Sequence, residues 1–122
     1  MTAPLIDRID IHAYFVKDME RAERFYRETL GLQRFTGDGS RGVEFQLPDG
    51  STFGLYQPQP GDGIEAWQKC YGIMFGVQDA RSAVAELRRR GVQLSDPFEG
   101  PVCFMAFGED SEGNQLIIHQ RK

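Results

Sequence analysis

Residues 12–32 read His-Ala-Tyr-Phe-Val-Lys-Asp-Met-Glu-Arg-Ala-Glu-Arg-Phe-Tyr-Arg-Glu-Thr-Leu-Gly-Leu, and the fold follows from this run. With Ile9 and Ile11 before it, the stretch 9–16 is rich in β-branched and aromatic residues, which predicts a strand. Asp18 is placed to cap a helix, and Glu20 sits in the first turn, where the helix dipole favours negative charge. Met19, Ala22, Tyr26 and Leu30 recur at helical spacing, flanked by Phe25. Gly31 ends the helix where a left-handed residue is wanted.

The same grammar returns about sixty residues later. Residues 72–77, Gly-Ile-Met-Phe-Gly-Val, predict a strand. Asp79 caps, Ala80, Ala83, Val84 and Leu87 form the apolar stripe, Arg88–Arg90 fill the last turn, and Gly91 stops it. Asp18 and Asp79 lie 61 positions apart, Gly31 and Gly91 lie 60, and the turn glycines Gly50 and Gly113 lie 63. Final strands follow at Thr52–Tyr56 and Gln115–His119, with hairpin turns expected at Thr36–Gly42, Pro48–Ser51 and Asp110–Asn114. Each half therefore reads strand, helix, three strands. The expected fold is α+β, with two tandem βαβββ modules forming curved mixed sheets around a cavity. One domain spans residues 1–122, with module 1 at about 5–57, a linker at 58–69 and module 2 at about 70–120. Between the halves, the Pro/Gly-rich Gln57–Gly63 is a connector or the lip of a site. A single helix covers one face of a four-stranded sheet, so each sheet needs a partner for its other face.

Composition narrows the function classes. Of 122 residues 40% are hydrophobic and 26% charged, and the net charge is −4. That balance argues against a nucleic-acid partner, and no apolar run is long enough for a membrane span. The N-terminal MTAPLIDRID carries charge where a signal peptide needs an apolar stretch, so a cytoplasmic location is expected. Cys70 and Cys103 cannot form a disulfide framework or by themselves a four-ligand zinc site; they are expected as reduced core thiols.

The run from His12 to Leu32, together with Gly108-Glu-Asp-Ser-Glu-Gly-Asn-Gln-Leu-Ile-Ile, resembles the vicinal oxygen chelate superfamily. That group includes glyoxalase I, bleomycin-resistance proteins, extradiol dioxygenases and methylmalonyl-CoA epimerase. The resemblance covers nearly the whole chain and implies the paired-module fold. In the superfamily's metal-dependent members, four His, Gln or Glu ligands occupy fixed places on the first and last strands of each half. Counted from Asp18, Asp79, Gly50 and Gly113, those places here hold Ile11, Gly72, Gly54 and Ile117. None offers the imidazole, carboxylate or amide oxygen that a divalent ion requires. The expectation is a metal-free branch with no cofactor.

Other candidates follow from strand alternation. Ile9, Ile11, Ala13 and Phe15 are expected to face the cavity. His12 and Tyr14 then turn toward the helix, making His12 a half-buried structural histidine unless a β-bulge re-aims it. Glu44 and Gln46 share the cavity face and either orient a ligand or line an exposed edge. Tyr56, beside Gly54 and Thr52, offers an aromatic wall with a hydroxyl tip. Gly72, Met74 and Gly76 suit a pocket floor or a close backbone seam. Phe104 and Ala106 are expected to continue the cavity face, with Cys103, Met105 and Phe107 against the helix. Trp67, after the connector, either covers a ligand or anchors its own loop. His119 lies two residues past Ile117 and is the candidate proton carrier if a reaction occurs.

These readings point to a homodimeric protein that binds a partly aromatic or apolar small molecule. The alternatives are a lyase, isomerase or dioxygenase, either metal-dependent or using His119 or Glu44, and an assembly module with no ligand.

Overall fold

The computed structural model describes residues 4–37, 41–63 and 66–122. Eight strands and two helices follow one another as two copies of one unit. The first comprises β1 (His12–Phe15), α1 (Met19–Arg24, extended by a π-helical turn over Phe25–Thr29), β2 (Gln33–Gly37), β3 (Gly42–Gln46) and β4 (Thr52–Tyr56). The second comprises β5 (Met74–Gly76), α2 (Ala80–Arg89), β6 (Phe98–Glu99), β7 (Cys103–Glu109) and β8 (Gln115–Arg121). The sheets run β1-β4-β3-β2 and β5-β8-β7-β6. In each, the first strand lies parallel to the last and the others pair antiparallel. The chain is thus α+β, with two βαβββ modules.

Both helices begin alike. The Asp18 carboxylate accepts the Arg21 amide at 3.1 Å, and that of Asp79 accepts the Ser82 amide at 2.9 Å. A glutamine at the end of the last strand of each module adds a second cap. Gln57 Oε1 accepts the Met19 amide at 2.9 Å, and Gln120 Oε1 accepts the Ala80 amide at 2.7 Å. These bonds satisfy helix-end donors that would otherwise lack partners. Gly31 and Gly91 follow the helices with φ of 79° and 94°, which only glycine adopts freely.

The expected uninterrupted helix to Gly31 is modified. Leu30 N donates to Phe25 O at 3.0 Å, a five-residue closure. The rings of Phe25 and Tyr26 meet edge to face at 5.3 Å within this turn. Tyr26 is fully buried in the first core, whereas Phe25 and Leu30 also pack against the second.

The two modules meet through their helix-bearing sides. Tyr14, Val43, Phe45, Phe53 and Leu55 lie beneath α1, while Ala106, Leu116 and Ile118 lie beneath α2. Phe75 joins the two cores, its ring 5.1 Å from Phe53 and 6.2 Å from Tyr26. Aromatic pairs of this kind add about 0.5–1.5 kcal/mol each beyond area burial. The loop after β7 locks the junction. Tyr26 OH donates to Asp110 Oδ2 at 2.6 Å, and Arg21 Nε donates to Glu112 Oε2 at 2.7 Å.

Three expectations about the strands need correction. The first strand starts at His12 rather than Ile9: β4 opens at Thr52, with Phe53 opposite His12, so the arm before it runs past the sheet. Ile6 and Ile9 are left exposed there. The strand over 72–77 begins at Met74, because Gly72 takes a φ of 98°. Finally, β7 presents the opposite faces from those expected. Ala106 lies beneath α2 opposite Ile118, so Phe104, two residues away, shares the helix side. Cys103, Met105 and Phe107 take the face away from the helix. The turn expected at Thr36–Gly42 falls partly on residues 38–40, outside the described residues.

Candidate ligand-binding site

In the first sheet, the face away from α1 carries Ile11, Ala13, Phe15, Glu44, Gln46, Thr52, Gly54 and Tyr56. Strand alternation sets this composition: their neighbours Tyr14, Val43, Phe45, Phe53 and Leu55 are all in the core. Ala13, Gly54 and Glu44 align across three strands. Gly54 permits close approach at the centre. A methyl group on it would stand 3.2 Å from Ile11 Cγ2 and 3.6 Å from Ala13 Cβ. Ile11 thus fills the space beside Gly54 with hydrocarbon. Glu44 is half-buried, and Gln46, Ala13 and Ile11 are open to solvent.

The end of this face is walled by aromatics. Phe15 and Tyr56 meet edge to face at 5.9 Å. Above them the connector is tied down: Asp62 Oδ2 accepts the Tyr56 hydroxyl at 2.8 Å and the Gln59 amide at 2.8 Å, and Oδ1 accepts Arg41 Nη2 at 2.6 Å. The Gln59 amide, then the Tyr56 hydroxyl and the Arg41 guanidinium, hold the Asp62 carboxyl below the usual aspartate range. Trp67 anchors the returning chain. Its indole Nε1 donates to the Phe15 carbonyl at 2.9 Å, and Lys17 Nζ lies 4.2 Å from the ring centre. With its N–H so engaged, the indole fastens the loop to the end of β1.

In the second sheet, the matching face carries Met74, Gly76, Cys103, Met105, Phe107, Ile117 and His119. Met74 stands opposite Ile117, and Ile117 opposite Phe107; Gly76, His119 and Met105 form the next row. Phe98 stacks on Phe107 at 5.7 Å with 17° between the rings. Ile117 is buried, His119 half-buried, and Met74 is 52% exposed. Gly72 stands outside the strand, its amide donating to Gln115 Oε1 at 2.9 Å. Phe104 lies on the other side of this sheet and does not join the group. Met105 and Phe107 take its place, a substitution that Ala106, small enough to sit flat beneath a helix, signals in the sequence.

His12 is exposed rather than half-buried, and the unbroken β1–β4 register over His12–Phe15 contains no bulge. It lines a cleft of about 760 Å³ between the sheets, together with Phe53, Met74, Gly76 and Arg121. His119 belongs to the open face of the second sheet and is not among the residues that line this cleft. Among the described residues, no three His, Cys, Asp or Glu side chains are grouped to hold a metal ion. The four counted positions, Ile11, Gly54, Gly72 and Ile117, supply no side-chain donor, so the residues present do not fit a chelated cation. No helix among the described residues is long and apolar enough to cross a membrane.

Comparison with known proteins agrees with this geometry. The sequence pattern of the Glyoxalase/Bleomycin resistance protein/Dioxygenase superfamily matches residues 6–118. The chain belongs to that superfamily. Among solved structures of similar fold is TnmS3, an antibiotic binding protein from Streptomyces sp. CB03234. It is 24% identical, with 98% of this chain and 100% of that chain covered and a TM-score of 0.79. A superfamily member from Sphaerobacter thermophilus DSM 20745 is also 24% identical, covering 97% and 100%, with a TM-score of 0.81. Lactoylglutathione lyase from Agrobacterium tumefaciens is 18% identical, covering 96% of each chain, with a TM-score of 0.69. No curated protein sequence matches the chain. A glyoxalase-superfamily fold thus hosts both a binder and a lyase among these neighbours, and the choice for this chain depends on its own side chains.

Proposed function

We propose that the chain is a small-molecule-binding protein that holds a partly aromatic or apolar ligand without a chelated metal. The observation that carries this reading is the donor-free set Ile11, Gly54, Gly72 and Ile117. A lyase, isomerase or dioxygenase of the metal-dependent kind needs its ion as Lewis acid or oxygen activator, and these side chains have nothing to grip one. What the open faces do offer is hydrocarbon and aromatic surface, at Phe15, Tyr56, Met74 and Phe107. Glu44, Gln46 and His119 add a few polar fixtures, the usual make-up of a ligand pocket. The antibiotic-binding neighbour supports the class without naming the ligand.

A second copy of the chain completes the pocket. The two modules spend their helix sides on each other, which leaves Ile11 and Met74 exposed on faces that the same chain does not cover. Two open faces brought together would enclose the ligand. The reduced thiols Cys70 and Cys103 suit a cytoplasmic setting.

The test uses protein purified without chelators. Elemental analysis is expected to find no stoichiometric metal, and a thermal-shift panel of aromatic antibiotics and metabolites is expected to yield at least one saturable stabiliser. Stoichiometric nickel, zinc, manganese or iron would overturn the reading. A second reading, metal-free catalysis with His119 as proton carrier, is favoured by the place of this half-buried imidazole beside Gly76 and Met105. Unchanged turnover in His119→Ala would remove it.

A further inference from the structure

The connector carries a carboxylate that rests in a set of donors supplied in part by the site's own wall. Asp62 stands between Gly61 and Gly63, whose φ values are 93° and 81°, and a methyl group on either glycine would meet nothing within 4 Å. Both Asp62 oxygens accept from Arg41 Nη2, at 2.6 and 2.7 Å. Oδ2 also accepts the Tyr56 hydroxyl and the Gln59 amide, each at 2.8 Å. Arg41 reaches the Tyr56 hydroxyl too, and its guanidinium carbon lies 5.4 Å from the ring centre. Three groups thus converge on one carboxylate-sized position, and one of them, Tyr56, belongs to the open face, edge-on to Phe15.

The donors are held from behind. Gln57 N donates to Arg41 O at 2.8 Å, and the Gln57 side chain caps α1, which fixes the chain two residues before Gln59. The tip is held mainly through that carboxylate. Besides its carboxylate bonds, Asp62 makes one backbone bond among the described residues, from its amide to Gln59 O at 3.1 Å. Among the described residues of 60–63, no apolar side chain docks the tip to either core.

We infer that Arg41, the Tyr56 hydroxyl and the Gln59 amide form a carboxylate-binding subsite at the end of the open face, filled by Asp62 in the free protein and opened to a ligand carboxylate when the tip lifts. The exchange conserves charge: one carboxylate leaves the guanidinium as another arrives. Asp62 competes from an effective concentration in the millimolar range, as short flexible tethers do. A bare carboxylate therefore displaces it poorly, whereas one attached to an aromatic ring adds burial against Phe15 and Tyr56. The ligand class is an aromatic carboxylate. The ring's placement rests on the binding role proposed above; the carboxylate position does not.

Removing the tethered competitor tests this. In Asp62→Ala, acetate is expected to shift the Gln59 and Tyr56 amide resonances saturably in the millimolar range, while acetamide does not. The unaltered protein should need about tenfold more acetate. Adding Arg41→Met to the variant should abolish the acetate response. Identical acetate titrations of the two proteins would overturn the inference. The second arm compares 1-naphthoate with the neutral 1-naphthalenemethanol. Naphthoate should bind Asp62→Ala about tenfold tighter than the unaltered protein, with the neutral probe unchanged. If the neutral probe binds and naphthoate gains nothing, the subsite is not joined to the pocket and the inference fails, with the binding role intact. If acetate behaves as expected and neither naphthyl probe binds, the carboxylate position stands and the aromatic pocket is wrong.

Discussion

Glu112 has a fully buried side chain, and its two oxygens accept from five donors. Lys17 N and Asp18 N donate at 2.9 Å, Arg21 Nε and Nη2 at 2.7 and 3.0 Å, and Ser111 Oγ at 3.0 Å. Such a group contributes mainly because every donor around it would otherwise lack a partner. Glu112→Ala is therefore expected to destabilise the fold by about 3 kcal/mol, measured by urea denaturation. Burial pushes the carboxyl upward, but the Arg21 guanidinium, the Asp18 amide and the Ser111 hydroxyl outweigh it and hold it below its ordinary value of 4.5. A carboxyl depressed by folding stabilises above its unfolded pKa and loses that contribution as pH falls through the folded one. Glu112→Gln should accordingly flatten the decline in stability below about pH 4.5, followed as melting temperature from pH 6 to pH 3. Equal slopes for the two proteins would refute the assignment. Nothing local in Asp110-Ser-Glu-Gly-Asn marks this role. The sequence predicts a turn there, and the partner helix lies 91 or more positions away.

At the scale of elements, strand β7 shows where pattern reading runs out. Cys103-Phe-Met-Ala-Phe is apolar at five consecutive positions, so alternation carries no information about which face meets the helix. Packing decides it: Ala106 is small enough to lie beneath α2, and Gly108 lets the chain at Gln93 pass close by. A methyl group at Gly108 would fall 2.2 Å from the Gln93 carbonyl oxygen and 2.9 Å from a Leu94 methyl. Gly108→Ala is thus expected to lower the melting temperature by several degrees by breaking the Leu94–Gly108 bridge, whereas Gly50→Ala, with nothing nearby, tests backbone strain alone. Module 1 was legible because Val43-Glu-Phe-Gln-Leu alternates cleanly, so Ala13, Phe15, Glu44, Gln46, Gly54 and Tyr56 fall on the face that alternation predicts, whereas Ile9 lies on the arm before the sheet. The π-helical turn was not, since Phe25 and Tyr26 are both apolar and either suits a helix stripe. Its consequence is measurable. Tyr26→Phe leaves Asp110 Oδ2 without its buried donor and should cost about 1–3 kcal/mol in chemical denaturation.

For the whole molecule, the repeat of cap, stripe, stop and turn predicted two like modules, and the sheets follow it in order. How the modules meet was not written in either half alone. It depends on Phe75 seating among Phe53 and Tyr26, a contact between residues with no sequence periodicity in common. The arrangement leaves both open faces outward, so the proposed pocket needs a second chain. Light scattering after size exclusion is expected to give twice 13.8 kDa. Met74→Lys, at an exposed position, should shift the mass toward one chain while circular dichroism stays unchanged. A monomer at high concentration before any substitution would refute the pairing.

The distance along the chain between α1 and its buried cap has a bearing on biosynthesis. Asp18 receives its partner from a residue 94 positions downstream. While the polypeptide emerges from the ribosome, the opening helix can form its own first turn through Asp18, yet the Lys17 and Asp18 amides that lead into it stay hydrated until the closing hairpin arrives. The N-terminal unit is therefore provisional during translation, and its consolidation coincides with completion of the C-terminal one.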